Sequence, residues 1–215
     1  MQKKRIQNRI AESRWTQAWV VSAAMLVWIV AGLHNLTVVA PGVCLLLATY
    51  LMMELNNANA LIRIYSRMVS CSFIVLATMA VFMFPSIRSS IVMLGMVGFY
   101  ILSFRCYQDT QAPGWIFYAY FCIGMTSVVW VQILYFLPIL WVISRTNLLS
   151  LSGKNFVASL LGITLPYWFY APYLAEKGEI SLLVKHFLRL GEFGKPLDFT
   201  SLTTSNIAVL TYVLL

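Results

Sequence analysis

Long runs of apolar residues, separated by short polar gaps, dominate the chain. In order, the runs are Thr16–Leu33, Leu36–Leu55, Met68–Phe84, Ile91–Phe104, Trp115–Ser144, Phe156–Tyr173 and Asn206–Leu215. A straight helix needs about 20 apolar residues to cross a bilayer. The runs lack the strict alternation of barrel strands. The pattern therefore predicts an all-α membrane protein, a polytopic bundle of about seven or eight transmembrane helices.

The run Trp115–Ser144 allows two interpretations. As one helix its thirty residues would measure about 45 Å, whereas the hydrocarbon core of a bilayer is about 30 Å thick. It is therefore either one strongly tilted span or two short spans, with a candidate turn at Trp130 and Gln132. Pro138 and Pro166 lie inside apolar runs and predict helix kinks.

A polar connector over residues 174–204 contains one amphipathic stretch, Ile180–Leu190. Ser181, Lys185 and Arg189 are spaced by four and lie on one side, and apolar residues lie on the other. This pattern favours a helix lying in the membrane interface, and a plain connector helix is the alternative. Residues 205–215 look like the start of a further span, and we expect the chain to be truncated there.

Composition agrees with the apolar pattern. The chain is 60% hydrophobic and 10% charged, with a mean hydropathy of +0.80, whereas soluble domains are about 25% charged. This excludes an ordinary soluble enzyme. The net charge of +8 lies in the gaps between runs and in a basic segment over residues 1–15. The positive-inside rule then predicts a membrane protein with a cytoplasmic N-terminus and a bundle over residues 16–173, and no nucleic-acid partner.

Residues that could perform chemistry are sparse. The seven acidic residues avoid the middle of every apolar run, although functional ionisable groups are typical of membrane enzymes and carriers. The four cysteines are scattered, without metal-ligand spacing, and Arg105 and Asp109 have the spacing of an exposed ion pair. We therefore expect no catalytic residues, no metal and no cofactor, and the balance is against an enzyme.

Two polar patches, one over residues 56–67 and one at Arg145 and Asn147, are candidate contacts for lipid or for a partner protein. Asn59, Arg63 and Arg67 are spaced by four, so one helix face could present them to a phosphate group. The alternative is a cytoplasmic loop whose arginines anchor the spans. The full set of candidate residues is Asn56, Asn57, Asn59, Arg63, Arg67, Arg145 and Asn147.

From Leu45 to Tyr173 the chain resembles an uncharacterised family of multi-pass inner-membrane proteins from Gram-negative bacteria. The resemblance is carried by LNNANALIRIYSR (55–67), GMTSVV (124–129) and SRTNLLSLSGKNFVASLLGITLPYWFYAPY (144–173). It implies a location in the bacterial inner membrane and a pair of short spans beginning near Gly124, which favours the two-span interpretation of Trp115–Ser144. The family's proline after that glycine is displaced here to Pro138. The hairpin is also loosely similar to glycosyltransferases that use lipid-linked sugars, but their acidic first outer loop is replaced here by His34–Asn35.

Three functional hypotheses follow. The first is a non-catalytic membrane component that acts through contacts with membrane lipid or a membrane-protein partner. The second is a subunit of a lipid-linked sugar transferase or polymerase, based on the Asn and Arg patches. The third is a small-solute transporter, based on Pro138 and Pro166 alone.

Overall fold

The computed structural model describes residues 13, 15–30, 39–59, 68–79 and 86–191. Within these ranges the chain forms eight α-helices and one 3₁₀ helix, and no β-strand. The all-α prediction is therefore confirmed. The basic residues 1–12, the turn at His34–Asn35 and the run Asn206–Leu215 lie outside the described residues.

The helices follow one another closely along the chain. They are α1 (Trp15–Val30), α2 (Val39–Asn59), α3 (Met68–Met79), α4 (Ile87–Phe104), α5 (Pro113–Val129), a 3₁₀ helix (Val131–Phe136), α6 (Leu137–Thr146), α7 (Gly153–Glu176) and α8 (Ser181–Leu188). Among the described residues, α2 and α4 are long and apolar enough to cross a membrane, whereas α3, α5 and Val131–Thr146 are apolar but shorter. The number of spans predicted from the sequence is thus not confirmed.

Two compact units divide the chain between Ser90 and Ile91, inside α4. In the first unit, α3 packs against both α1 and α2. Leu45, Ala48 and Ile74 are buried there. Thr49 and Thr78 are also buried, and each hydroxyl donates to the carbonyl four residues earlier, at 2.8 and 2.6 Å. These bonds allow polar side chains inside an apolar helix pair.

The second unit is built around α5. Its core contains Phe99 of α4 in edge-to-face contact with Tyr120 of α5, with ring centroids 5.2 Å apart. Ile123 of α5, Leu140 of α6 and Ile163 of α7 complete the contacts around this pair. The core of this unit therefore lies along α5, which the other helices surround.

Glycines allow α5 and α7 to pack backbone against backbone. A Cβ added at Gly162 would lie 2.5 Å from the Phe117 carbonyl oxygen, and one at Gly124 would lie 2.8 Å from the Ile163 carbonyl oxygen. No side chain fits at either position. Small residues at such contacts are typical of helices that associate in lipid.

The run Trp115–Ser144 is not one helix, because α5 ends at Val129 and Trp130 is extended, with φ −143° and ψ 97°. The 3₁₀ helix and α6 then lead back to the beginning of α5. The Gln108 amide donates to the Leu148 carbonyl at 2.8 Å, and the Ser152 hydroxyl donates to the Thr110 carbonyl at 2.9 Å. Pro138 lies in the first turn of α6, where a missing N–H costs nothing. The expected kink at Pro138 is therefore wrong, whereas Pro166 lies inside α7 as expected, and so does Pro172.

The second unit exposes large apolar side chains on its outer surface and encloses several small polar ones beside its apolar core. Trp168 and Phe169 are 74% and 73% exposed, whereas Ser127 and Asn155 are completely buried. No Asp, Glu, Lys or Arg occurs in α5, from Trp130 to Ser144, or from Phe156 to Ala175. The outer surface is thus apolar between two charged ends.

Candidate functional site

The predicted patch around Asn56 lies mostly at the end of α2 and not in a loop. Asn56 is buried, and its Nδ2 donates to Asn57 Oδ1 at 3.5 Å. Asn59 Nδ2 donates to the Leu55 carbonyl at 2.9 Å. All three side-chain amides thus make bonds within their own helix. Arg63 and Arg67 lie outside the described residues, so the shared face with Asn59 stays a prediction.

The second predicted patch, Arg145 and Asn147, belongs to the second unit. Both residues are exposed at the end of α6. Arg145 Nη1 donates to the Leu151 carbonyl at 2.9 Å, and Asn147 Oδ1 accepts from the Thr146 hydroxyl at 2.7 Å. These bonds hold the turn after α6, and the exposed guanidinium keeps further donors for an anion.

Residues that the sequence analysis did not single out organise the same turn. The Ser144 carbonyl accepts from the Ser150 amide at 3.0 Å, and the Ser144 hydroxyl bonds with Tyr120 OH at 3.2 Å. Asn155 Nδ2 donates to the Ser150 carbonyl at 2.6 Å. The Ser152 hydroxyl also accepts from the Asn155 amide at 3.4 Å. A serine just before an apolar periodic run is an N-cap signal. Ser152 could therefore have been used to predict where α7 begins.

Arg105 and Asp109 do not form the expected ion pair. The Arg105 guanidinium lies 4.8 Å from the centroid of the Trp115 ring, a cation–π contact. Asp109 Oδ1 accepts from the Gln111 amide at 2.8 Å. The pair was predicted from helical spacing, but α4 ends at Phe104, so the two residues lie in a turn.

Cys106 lies in that turn and is completely buried. Burial, and to a lesser degree the nearby Asp109 charge, raises the pKa of the Cys106 thiol to about 11. The thiol is therefore protonated at neutral pH and is a weak nucleophile and metal ligand.

At the opposite end of α5, three side chains form a polar cluster that we call the Ser127 cluster: Ser127, Tyr167 and His186. The Ser127 hydroxyl donates to the Gly124 carbonyl at 2.7 Å and lies 2.8 Å from Tyr167 OH. His186 Nε2 lies 3.0 Å from the Ser127 carbonyl and 3.5 Å from Tyr167 OH. Because a carbonyl oxygen only accepts, His186 Nε2 carries the hydrogen in this contact.

The Ser127 cluster attaches α8 to α5 and α7. The Phe187 ring packs 5.0 Å from the Tyr167 ring, and Gln132 Nε2 donates to the Arg189 carbonyl at 3.5 Å. His186 is half-buried in this contact and faces α5 and α7. Since the Ser127 proton is committed to a carbonyl and the residue is buried, the cluster is suited to holding helices together.

No group of three or more His, Cys, Asp or Glu side chains that could hold a metal ion occurs in the ranges that the structure describes. Comparisons with protein-family models, curated proteins and solved structures found no match. The resemblance to a family of inner-membrane proteins thus stays a prediction, and function has to be argued from the residues.

Proposed function

We propose that the chain is a multi-pass protein of the bacterial inner membrane, with its N-terminus in the cytoplasm. We further propose that it is a non-catalytic component that acts through contacts with lipid and with neighbouring helices. The observation that carries the membrane location is the large apolar outer surface of the second unit. Large apolar side chains such as Trp168 and Phe169 face outwards, while Ser127 and Asn155 are enclosed. In water such an apolar surface would be an aggregation liability, and in lipid it is the stable arrangement.

Helix length supports two short crossings by α5 and by Val131–Thr146. The seventeen residues of α5 span about 25 Å, slightly less than the hydrocarbon thickness of about 30 Å. Arg105, Arg145 and Lys154 lie near the beginning of α5, and Lys185 and Arg189 belong to the segment tied to its far end by the Ser127 cluster. A modest thinning of the bilayer accommodates this length.

The polar groups of the second unit support a non-catalytic role. The Ser127 cluster and the Ser144 hydroxyl bond with groups of neighbouring helices. Their bonds join α5 to the segments around it, which is the usual use of small polar residues between membrane helices.

Membrane fractionation tests the location. The full chain should stay in the membrane pellet after alkaline carbonate and enter solution only with detergent. Release by carbonate alone would contradict the proposal. A tagged chain extracted in mild detergent should then retain a stoichiometric partner or bound phospholipid, and purification without either would contradict the proposed role.

The lipid-linked sugar hypothesis is supported by one observation. Arg145 is exposed and makes one hydrogen bond to the Leu151 carbonyl, so its guanidinium can still bind a phosphate oxygen. The double variant Arg63→Ala with Arg145→Ala should then alter the surface glycans of the source cell. Unchanged glycans would reject this second candidate.

A further inference from the structure

An apolar groove runs between α5 and α7 on the outer surface of the second unit. We call it the α5–α7 groove. Its volume is about 450 Å³, within the range of small-molecule pockets. Its lining is entirely apolar or aromatic: Phe121, Met125, Val128, Val129, Pro166, Phe169, Tyr170 and Tyr173.

The groove follows from the unequal lengths of the two helices. The glycines at 124 and 162 bring α5 and α7 into contact. Beyond that contact α5 ends at Val129, while α7 continues to Glu176. The last turns of α7 therefore have no α5 partner beside them. Phe169 and Tyr173 of α7 are exposed, and so is Met125 on the facing side of the groove, in α5.

A cation lies beyond one end of the groove. Lys177 Nζ is 4.6 Å from the centroid of the Tyr173 ring, and Tyr173 lines the groove. The cation–π contact holds the ammonium close to the apolar lining. Residues 176–189 contain three basic residues and two glutamates, so this segment carries a net positive charge.

In a membrane, an apolar groove beside a fixed cation is suited to a lipid that has an acyl chain and an anionic headgroup. Tyrosine and lysine are also the residues that favour the headgroup level. We propose that the α5–α7 groove binds one acyl chain of an anionic glycerophospholipid, whose phosphate lies against Lys177. This inference rests on the membrane location in the proposed function.

The test is native mass spectrometry of the full chain after reconstitution in equimolar phosphatidylglycerol and phosphatidylcholine. The wild-type chain should retain phosphatidylglycerol in preference to phosphatidylcholine. Lys177→Gln should reduce that preference about fivefold, since a basic residue at an anionic surface contributes about that factor. Its matched control is Lys154→Gln, which removes an exposed lysine remote from the groove and should change nothing.

A second pair of variants tests the groove itself. Val128→Trp fills the groove and should reduce retention of phosphatidylglycerol, whereas Leu161→Trp, at an exposed α7 position outside the lining, should not. Equal retention of the two lipids by the wild type, or equal effects within either pair, would overturn the inference. So would a dimer that only Val128→Trp abolishes, because the occupant would then be a second copy of the chain. A chain that resists carbonate but shows no lipid preference would reject this inference and leave the membrane location standing.

Discussion

Gly162 is a position where one added methyl group has a large and predictable effect. The new Cβ of Gly162→Ala would lie 2.5 Å from the Phe117 carbonyl oxygen and 3.0 Å from the Phe121 nitrogen. Backbone atoms cannot rotate away, so α5 and α7 must separate. We expect a loss of about 1–3 kcal/mol, typical of overpacking, measured by thermal unfolding in detergent.

Gly98→Ala is the matched control, because its Cβ would meet only Cys122 Sγ, at an ordinary contact distance of 3.6 Å. Gly98 lies inside α4, so alanine should be neutral or should stabilise the helix by up to about 1 kcal/mol. An equal loss in the two variants would show that the α5–α7 contact is not the cause.

Cys106 should be unreactive towards a maleimide at pH 7.5, because burial raises its pKa from 9.0 to about 11. The control is Gly153→Cys, at an exposed position with nothing within 4 Å of the new Cβ, in a chain whose other native cysteines are replaced by alanine. Gly153→Cys should label within minutes and Cys106 only after denaturation. Rapid labelling of Cys106 would contradict its burial.

The same shift in the Cys106 pKa gives a pH dependence of stability. Folding favours the protonated thiol. The thiol's contribution to the free energy of unfolding is therefore complete below pH 9 and is lost as the pH rises towards 11. Comparing the unfolding temperatures of the wild type and Cys106→Ala between pH 8 and pH 11 checks this. The difference between them should change only above about pH 9.

At the scale of elements, the Ser127 cluster predicts how α8 is held. His186→Ala removes the donor to the Ser127 carbonyl and leaves a buried acceptor unpaired. A hydrogen bond of this kind contributes about 0.5–1.5 kcal/mol. Amide hydrogen exchange in α8 should therefore become about threefold to tenfold faster. Lys185→Ala, on the exposed neighbouring residue, is the control, and equal acceleration in both variants would contradict the attachment.

The elements also show which features the sequence could and could not predict. The long apolar runs were sufficient to predict an all-α fold and a candidate turn at Trp130, because both features depend on the local sequence pattern. Helix α4 begins at Ile87, ahead of the apolar run, because Arg88 and two serines interrupt the hydrophobic pattern without breaking a helix. The Ser127–His186 contact joins residues that are 59 positions apart in the sequence. The periodicity of apolar residues cannot predict such a contact. Likewise, Gly124 was recognisable as a motif position, but the backbone atoms that it meets are defined only by tertiary packing.

At the scale of the molecule, the second unit has charged residues near the two ends of an uncharged α5, and this layout predicts a topology. The turns after α4 and α6 are joined by the bonds from Gln108 to Leu148 and from Ser152 to Thr110. They must therefore face the same side of a membrane. Gly191 follows α8, whose His186 bonds to the far end of α5. If α5 crosses the bilayer, Gly153 and Gly191 lie on opposite sides.

Single cysteines introduced at these two glycines test the topology in intact cells and in inverted vesicles. With the N-terminus in the cytoplasm, Gly191→Cys should react with an impermeant maleimide from outside, and Gly153→Cys only in inverted vesicles. The positive-inside rule favours this direction, since Arg105, Arg145 and Lys154 then join the basic N-terminal segment in the cytoplasm. The reverse labelling would contradict the two-span interpretation of Trp115–Ser144 or, if α5 crosses as proposed, the cytoplasmic location of the N-terminus. Labelling of both positions from one side would show that α5 does not cross the membrane, and the two-span interpretation of Trp115–Ser144 would fail with it.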